Sequence, residues 1–434
     1  MNVYIYREKI DLSFIKIIPG DSVVIKPNLI KESKETDPNE WESVITSPKI
    51  IELVCEDACK KLSGKGMVTI CDAPQTDSSF AKIAEKTGLY GIAKRCSEKY
   101  SVKVEVLDLR NEEWVNEGGV ITERRKLPGD PKGTIAFNLG KDSFFYKFKG
   151  EGRYYGADYD TSVVNRHHRR EVQEYLISAT PVLADVFINL PKMKTHKKTG
   201  VTLNLKNLVG INADKNWLPH HTEGHPENGG DQFPEFALKN FIEQWSAKFT
   251  RYLALNLPFI GTGIAKKLRR AGTSTFGDGR QVIRSGNWHG NDTTWRMVLD
   301  LNKCLLYGNA DGTLRKENPK RYYSLIDGIK GMEGMGPMQG EPVNSNIVIG
   351  GNDPVAVDTV AARLMGFDWR KIPVIREAYN LNRLPITNIS PDSINVISDV
   401  PEWNGKFSDM EEKTFFNFKP HFGWAGHIEY EKKY

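Results

Sequence analysis

The densest concentration of reactive side chains is Pro191–Gly210, PKMKTHKKTGVTLNLKNLVG, where Lys192, Lys194, His196, Lys197 and Lys198 fall within seven residues. Thr199 and Gly200 then open a predicted helix that carries Asn204, Lys206 and Asn207. Ammonium groups beside a helix N-terminus, whose free N–H groups point outward, attract phosphate or carboxylate. The amides of Asn204 and Asn207 suit orientation of such an anion. Neighbouring lysines should keep His196 neutral, as a general base requires. Set against this, a short run of charges is by itself most often a solvated turn.

Similar chemistry recurs wherever an apolar run ends. VVI is followed by Lys26-Pro27-Asn28, MVTIC by Asp72-Ala73-Pro74, FINL by Pro191-Lys192, and SLI by Asp327-Gly328. In open α/β sheets ligands bind outside the carboxyl ends of strands. The expected ligand residues are therefore Lys26, Asn28, Lys192, Lys194, Asn204, Lys206 and Asn207, with His196 and Asp72 as acid/base candidates. Asp327 and Glu333 lie in DGIKGMEGMGPMQGEP, read as a glycine-rich loop, and could hold a divalent cation. The glycine spacing there matches neither a Walker A loop nor a dinucleotide fingerprint.

The elements that would position these groups follow from periodicity. Ser22–Ile25, Met67–Cys71, Val102–Leu107, Asp185–Leu190, Tyr323–Ile326, Asn346–Ile349 and Ile394–Ser398 are short β-branched runs expected as buried parallel strands. Helical patterns cover Pro48–Leu62, Ser78–Lys94 and Asp353–Met365, with Asp353 suited to cap a helix that starts at Pro354. Strands alternating with helices predict an α/β fold, a mostly parallel sheet with helices on both faces and large insertions. The expected organisation is a first α/β segment over 1–110, an inserted hairpin and loop region over 111–180, and the basic segment over 181–211. A His-rich loop and basic amphipathic insertion over 212–292, a closing α/β segment over 293–400 and an aromatic tail over 401–434 complete it.

Within the insertion, Phe241, Trp245, Phe249, Tyr252 and Leu253 form one helical stripe. Lys248, Arg251, Lys266, Lys267, Arg269 and Arg270 follow in 247–272 without an acidic residue. Such a segment packs into a core or rests peripherally on an anionic membrane surface. Two histidine clusters, Asn165–Arg170 and Pro219-His220-His221 with His225 and Asp231, read as polar loops; the second could also hold a transition metal, although its spacing is not that of a known zinc site.

Bulk composition narrows the function classes. The 434 residues carry 60 Lys and Arg against 55 Asp and Glu, a formal charge of +5, too balanced for a dedicated nucleic-acid binder. No run is long and apolar enough to span a bilayer and no signal peptide is evident, so the expected location is the cytoplasm. Cys55, Cys59, Cys71, Cys96 and Cys304 lack the spacing of a disulfide framework or an iron–sulfur cluster, so no such cluster is expected.

VVIKPNLI, ADVFINLPKMKTHKKTGVTLNLKNLVGIN, DGIKGMEGMGPMQGEPV and GGNDPVAVDTVAARLMGFD together resemble a bacterial and archaeal family catalogued as domain of unknown function 362. NRHH, DKNWLPHH and GNWHGNDTTWRMVLDLN look like a subgroup with large insertions, often associated with cell-surface polysaccharide genes. Some relatives carry a ferredoxin-like cysteine module that this chain lacks. Two functions stay open: an enzyme of undetermined reaction acting on an anionic metabolite, for instance a polysaccharide precursor, or a non-catalytic scaffold docking on a membrane or partner. Nucleic-acid binding is a weaker third.

Overall fold

All seven β-branched runs pair in one central sheet in the computed structural model of the chain. The structure describes residues 1–117, 120–156, 160–238, 242, 245, 282–380 and 383–431. Along the sheet the order is Gly405–Lys406, Asn395–Ser398, Asn2–Tyr6, Ile347–Gly351, Arg321–Glu333, Val186–Leu190, Ser22–Pro27, Met67–Asp72 and Lys103–Asp108. The last five run parallel to one another, and Ile347–Gly351 lies antiparallel to both of its neighbours. The fold is thus α/β with a mixed, mostly parallel sheet.

Alternation along each strand feeds two cores, one on each face. Val23, Ile25, Val186 and Ile188 pack with the helices Pro48–Leu62, Phe80–Thr87 and Leu89–Tyr100. Val24 and Phe187 face the opposite side, against Thr294–Tyr307, Pro354–Leu364 and Pro373–Tyr379. The helix expected over Ser78–Lys94 is two helices, because Gly88 takes a left-handed φ of +65° and caps the first. Asp353 caps as expected, its carboxylate accepting from the amides of Val355 and Ala356.

Two expectations fail locally. Arg321–Glu333 is one thirteen-residue strand that runs through Asp327 and Gly328, so only the stretch after Glu333 is the expected glycine loop. The glycine at 331 answers to packing: a Cβ there would sit 2.7 Å from the Met193 carbonyl oxygen of the adjacent strand. Nor does a helix open at Thr199. Gly200–Thr202 instead forms a hairpin with Lys192–His196, leaving a single helical turn, Asn204–Asn207.

Parallel register brings the strand ends level. Pro27 lies opposite Leu190, and Asp72 opposite Asp108. The chain segments that leave them are then tied to the stretch after the helical turn, through Ala73 N–H to the Gly210 carbonyl (2.7 Å) and Asn111 N–H to that of Ala213 (3.2 Å). These bonds frame a crevice at the carboxyl edge of the sheet.

Candidate functional site

The crevice encloses a cavity of about 470 Å³. Asn28, Asp72, His196, Lys206 and Asn207, all anticipated, line it, joined by Lys197, Lys198, Lys215 and His220 from the turns on either side.

Its charge is unbalanced. Two carboxylates line the cavity and each already has a cation: Asp72 meets Lys26 at 2.7 Å, and Asp77 meets Lys31 at 3.5 Å. Among the described residues, Lys197, Lys198, Lys206 and Lys215 have no such counterpart. Lys198 Nζ donates to the carbonyl of His220 (3.1 Å) and to that of Ser285, and meets the ring of His221 at 3.3 Å. Lys215 Nζ donates to the carbonyls of Val209 (2.6 Å) and Asn212 (3.1 Å). Lys206 has no hydrogen-bond or ion-pair partner among the described residues. Loss of hydration at these half-buried ammonium groups, deepened by mutual repulsion, lowers Lys198 and Lys215 to about 7 and Lys206 to about 8.

Behind the lining lies a layer of fully committed polar groups, and here several expected ligand residues prove structural. Lys192 and Asp327 form an ion pair at 2.7 Å with both side chains excluded from solvent. Asp327 also accepts from the amides of Ser47 and Ile329. Lys194 donates to Asn28 Oδ1 (2.7 Å) and the Val44 carbonyl (2.9 Å), and burial holds its pKa well below the usual lysine range. Lys26 faces Asp72, whose other oxygen accepts from the Leu29 amide. Asp72 is therefore engaged on both oxygens, by Lys26 and by the Leu29 amide. Gly210 permits this pair: a Cβ there would overlap the Asp72 carboxylate and sit 2.6 Å from Lys26 Nζ.

The asparagines form a chain of buried amides. Asn28 donates to Asn207, Asn207 to Asn189, and Asn189 to Tyr322 and to the Asn204 carbonyl. Asn204 is held in turn by Asp358, which accepts from the Asn204 side chain and from the amides of Asn204 and Leu205. The N-terminus of the short helical turn, expected to face an anion, is thus already occupied by a carboxylate of the chain. Burial raises Asp358 to about 7. Asn28 and Asn207 reach the cavity, whereas Lys26, Lys192, Lys194 and Asn204 support it from behind.

Of the three histidines that line the cavity, His196 and His220 are held in opposite tautomers. His196 Nδ1 accepts from the backbone amides of Lys198 (3.0 Å) and Thr199 (3.3 Å), so the ring proton resides on Nε2. Burial and four nearby lysines keep the ring neutral. Neutrality was expected, but the Nδ1 lone pair that a base would use is already taken by the two backbone amides and Nε2 bears the hydrogen. His220 is the reverse. Its Nδ1–H donates to the Leu218 carbonyl at 2.9 Å, leaving a lone pair on Nε2. Burial, with Lys198, Lys206 and Lys215 nearby, lowers it to about 3.

No metal site assembles at Asp327 and Glu333. They stand at the middle and end of one strand, about 20 Å apart at the usual rise per residue. Glu333 accepts from the Lys419 amide instead. Asp231 accepts from the amides of Thr222, Asp292 and Thr293, just before the helix Thr294–Tyr307. No group of three or more metal-type ligands occurs among the described residues. In the other cluster, His168 is buried between Gln173 and the Trp217 carbonyl, and His167 stacks on Trp217. All five thiols are buried. The basic segment 247–272 lies outside the described residues, as do Phe241 and the rest of the stripe beyond Trp245.

Lys215 and His220 were legible only as members of DKNWLPHH, a segment read as a polar loop or, less often, a metal site. Nothing in their spacing revealed that the loop folds back over the strand ends.

The family model described as Domain of unknown function (DUF362) matches residues 23–130 and 128–363. The chain belongs to this family. The matched DUF362 region carries the strand ends, the basic segment, His220 and Lys215, and it stops before the aromatic tail. No curated protein matches the chain. Among solved structures, a crystal structure of a Thermotoga maritima protein is similar at 10% identity over 76% of this chain and 50% of that one, with a TM-score of 0.29. The chain thus spans half the length of that protein. No helix among the described residues of this DUF362 protein is long and apolar enough to cross a membrane.

Proposed function

We propose that this DUF362 protein is an enzyme acting on a phosphate- or carboxylate-bearing small molecule bound in the strand-end cavity. The observation that carries this is the set of three half-buried lysines, Lys198, Lys206 and Lys215, around a cavity whose carboxylates are already paired with other cations. An anion entering there would restore the lysines' protonation beside the side chains of Asn28 and Asn207. A phosphorylated precursor of a surface polysaccharide is one molecule of this class. On this reading the protein works in the cytoplasm.

The test is thermal stability in inorganic phosphate, malonate and chloride at matched ionic strength. Phosphate or malonate should raise the melting temperature saturably where chloride does not, and Lys206→Gln should remove the difference. Equal response to all three salts would refute a specific anion site.

One observation favours the scaffold reading as well. Phe236, Leu238, Ile242 and Trp245 are all more than 45% exposed, next to the basic segment 247–272. Such a surface suits peripheral contact with anionic lipid. Sedimentation with anionic vesicles that is lost on deleting 247–272 would support it, and no sedimentation would dismiss it.

A further inference from the structure

We infer that His220 and His196 form a base and hydrogen-bond-donor pair that moves a proton from a carbon next to a carbonyl in the bound anion. The inference rests on the cavity being an anion site and assigns the chemistry done there.

Both histidines line the same cavity, and Lys198 ties them together: its backbone amide fixes His196 Nδ1 while its side chain holds the His220 carbonyl. Each ring therefore has one nitrogen engaged by the backbone and the other left over. His196 offers Nε2–H, a neutral donor. His220 offers the Nε2 lone pair, an acceptor of protons. Neither atom has a partner among the described residues. The His220 backbone is pinned further by its amide bonding to the Tyr155 carbonyl (2.8 Å) and by its carbonyl accepting from Thr294 Oγ1 (2.7 Å) and Asn291 Nδ2 (3.2 Å). Placement this rigid is what proton transfer demands.

A donor and a base of opposite tautomer match one reaction class closely. The base removes the proton from the carbon, so a C–H bond breaks and an N–H bond forms at His220 Nε2. The C–H electron pair becomes the C=C bond of an enolate as the carbonyl π pair moves onto oxygen. That oxygen accepts a hydrogen bond from His196 Nε2–H, a neutral imidazole acting as electrophile. Lys206 supports the substrate's anionic group. Protonated His220 then returns its proton, or one exchanged with solvent, to the same carbon, and no redox partner is needed. No serine or cysteine lines the cavity among the described residues. Burial and the adjacent lysines hold His220 at about 3. A bound anion offsets those lysine charges and raises its basicity at the moment substrate is present.

The test has two arms on the full chain. Long-range proton–nitrogen correlation on histidine-labelled protein should show His220 protonated on Nδ1 and His196 on Nε2, with inorganic phosphate moving the His220 titration upward. The opposite tautomer at either ring overturns the inference, as does a His220 that ignores bound phosphate. The second arm follows deuterium uptake from D₂O into dihydroxyacetone phosphate and 2-oxobutanoate. Exchange should fall at least about a hundredfold in His220→Gln, with phosphate stabilisation retained. Binding of either probe without any exchange refutes proton transfer while leaving the anion site standing. Failure of phosphate and both probes to bind refutes the anion site itself.

Discussion

Replacing Lys206 with methionine should make the free protein more stable and the phosphate-bound protein less stable than the parent, a reversal that a structural lysine would not give. Burial and the nearby Lys26 hold Lys206 at about 8 in place of its ordinary 10.5. At about 1.4 kcal/mol for each tenfold change in proton affinity, that difference caps the unfavourable charge burial at roughly 3 kcal/mol. Solvent reaches part of this half-buried side chain, so the recoverable share is about 1–2 kcal/mol. Methionine keeps the apolar stem and adds no polar group. Phosphate at a hundred times its Kd should stabilise the parent by about 2.7 kcal/mol. The variant, lacking the ammonium that has no other partner among the described residues, should recover less than about 0.7 kcal/mol of that, which leaves it below the parent in phosphate. Urea unfolding at pH 7.5, with and without phosphate at constant ionic strength, reads both quantities. A variant that is less stable than the parent in phosphate-free buffer would refute the reasoning, because Lys206 would then be holding the fold.

Lys192→Met should cost about 3–5 kcal/mol of stability by leaving Asp327 buried without its cation, and Lys192→Met/Asp327→Leu should recover most of it; urea melts measure both. Gly210→Ala should destabilise by about 1–3 kcal/mol, since the added methyl displaces the Lys26–Asp72 pair, and it should weaken phosphate stabilisation as the cavity wall shifts. The free protein should gain stability as pH rises from about 7 towards 10.5: Lys198, Lys206 and Lys215 release protons in the folded state at about 7 to 8 and in the unfolded state near 10.5. Through that window the unfolded chain binds more protons. Saturating phosphate, by restoring the lysine charges, should flatten the rise.

The middle of the sheet was legible because strands such as Ser22–Pro27, Met67–Asp72 and Val186–Leu190 are buried on both faces and so read as continuous apolar runs, each ending in Pro or a charge. Asn2–Tyr6 was missed, and it lies among charged residues at the very start of the chain. The helix Thr294–Tyr307 was missed for a different reason: all but one of its residues is buried, so it lacks the one-sided periodicity of a surface helix. At the site, Lys192, Lys194 and Lys206 look alike in sequence, and only burial separates them. The strand Lys192–His196 is fully buried, so its lysines are drawn to internal acceptors at Asp327 and Asn28. Lys206 sits past the strand, on a turn with no acceptor in reach. His196 was recognised as neutral from its neighbours, but the position of its proton depends on two backbone amides that no residue pattern reveals.

Anomalous diffraction from crystals soaked in tungstate, an analogue of phosphate, tests the anion cavity most directly. The account predicts one dominant peak within contact distance of the ammonium groups of Lys198, Lys206 and Lys215, and none beside Lys192 or Lys194. A cavity left empty while tungstate occupies other surfaces of the protein would contradict it.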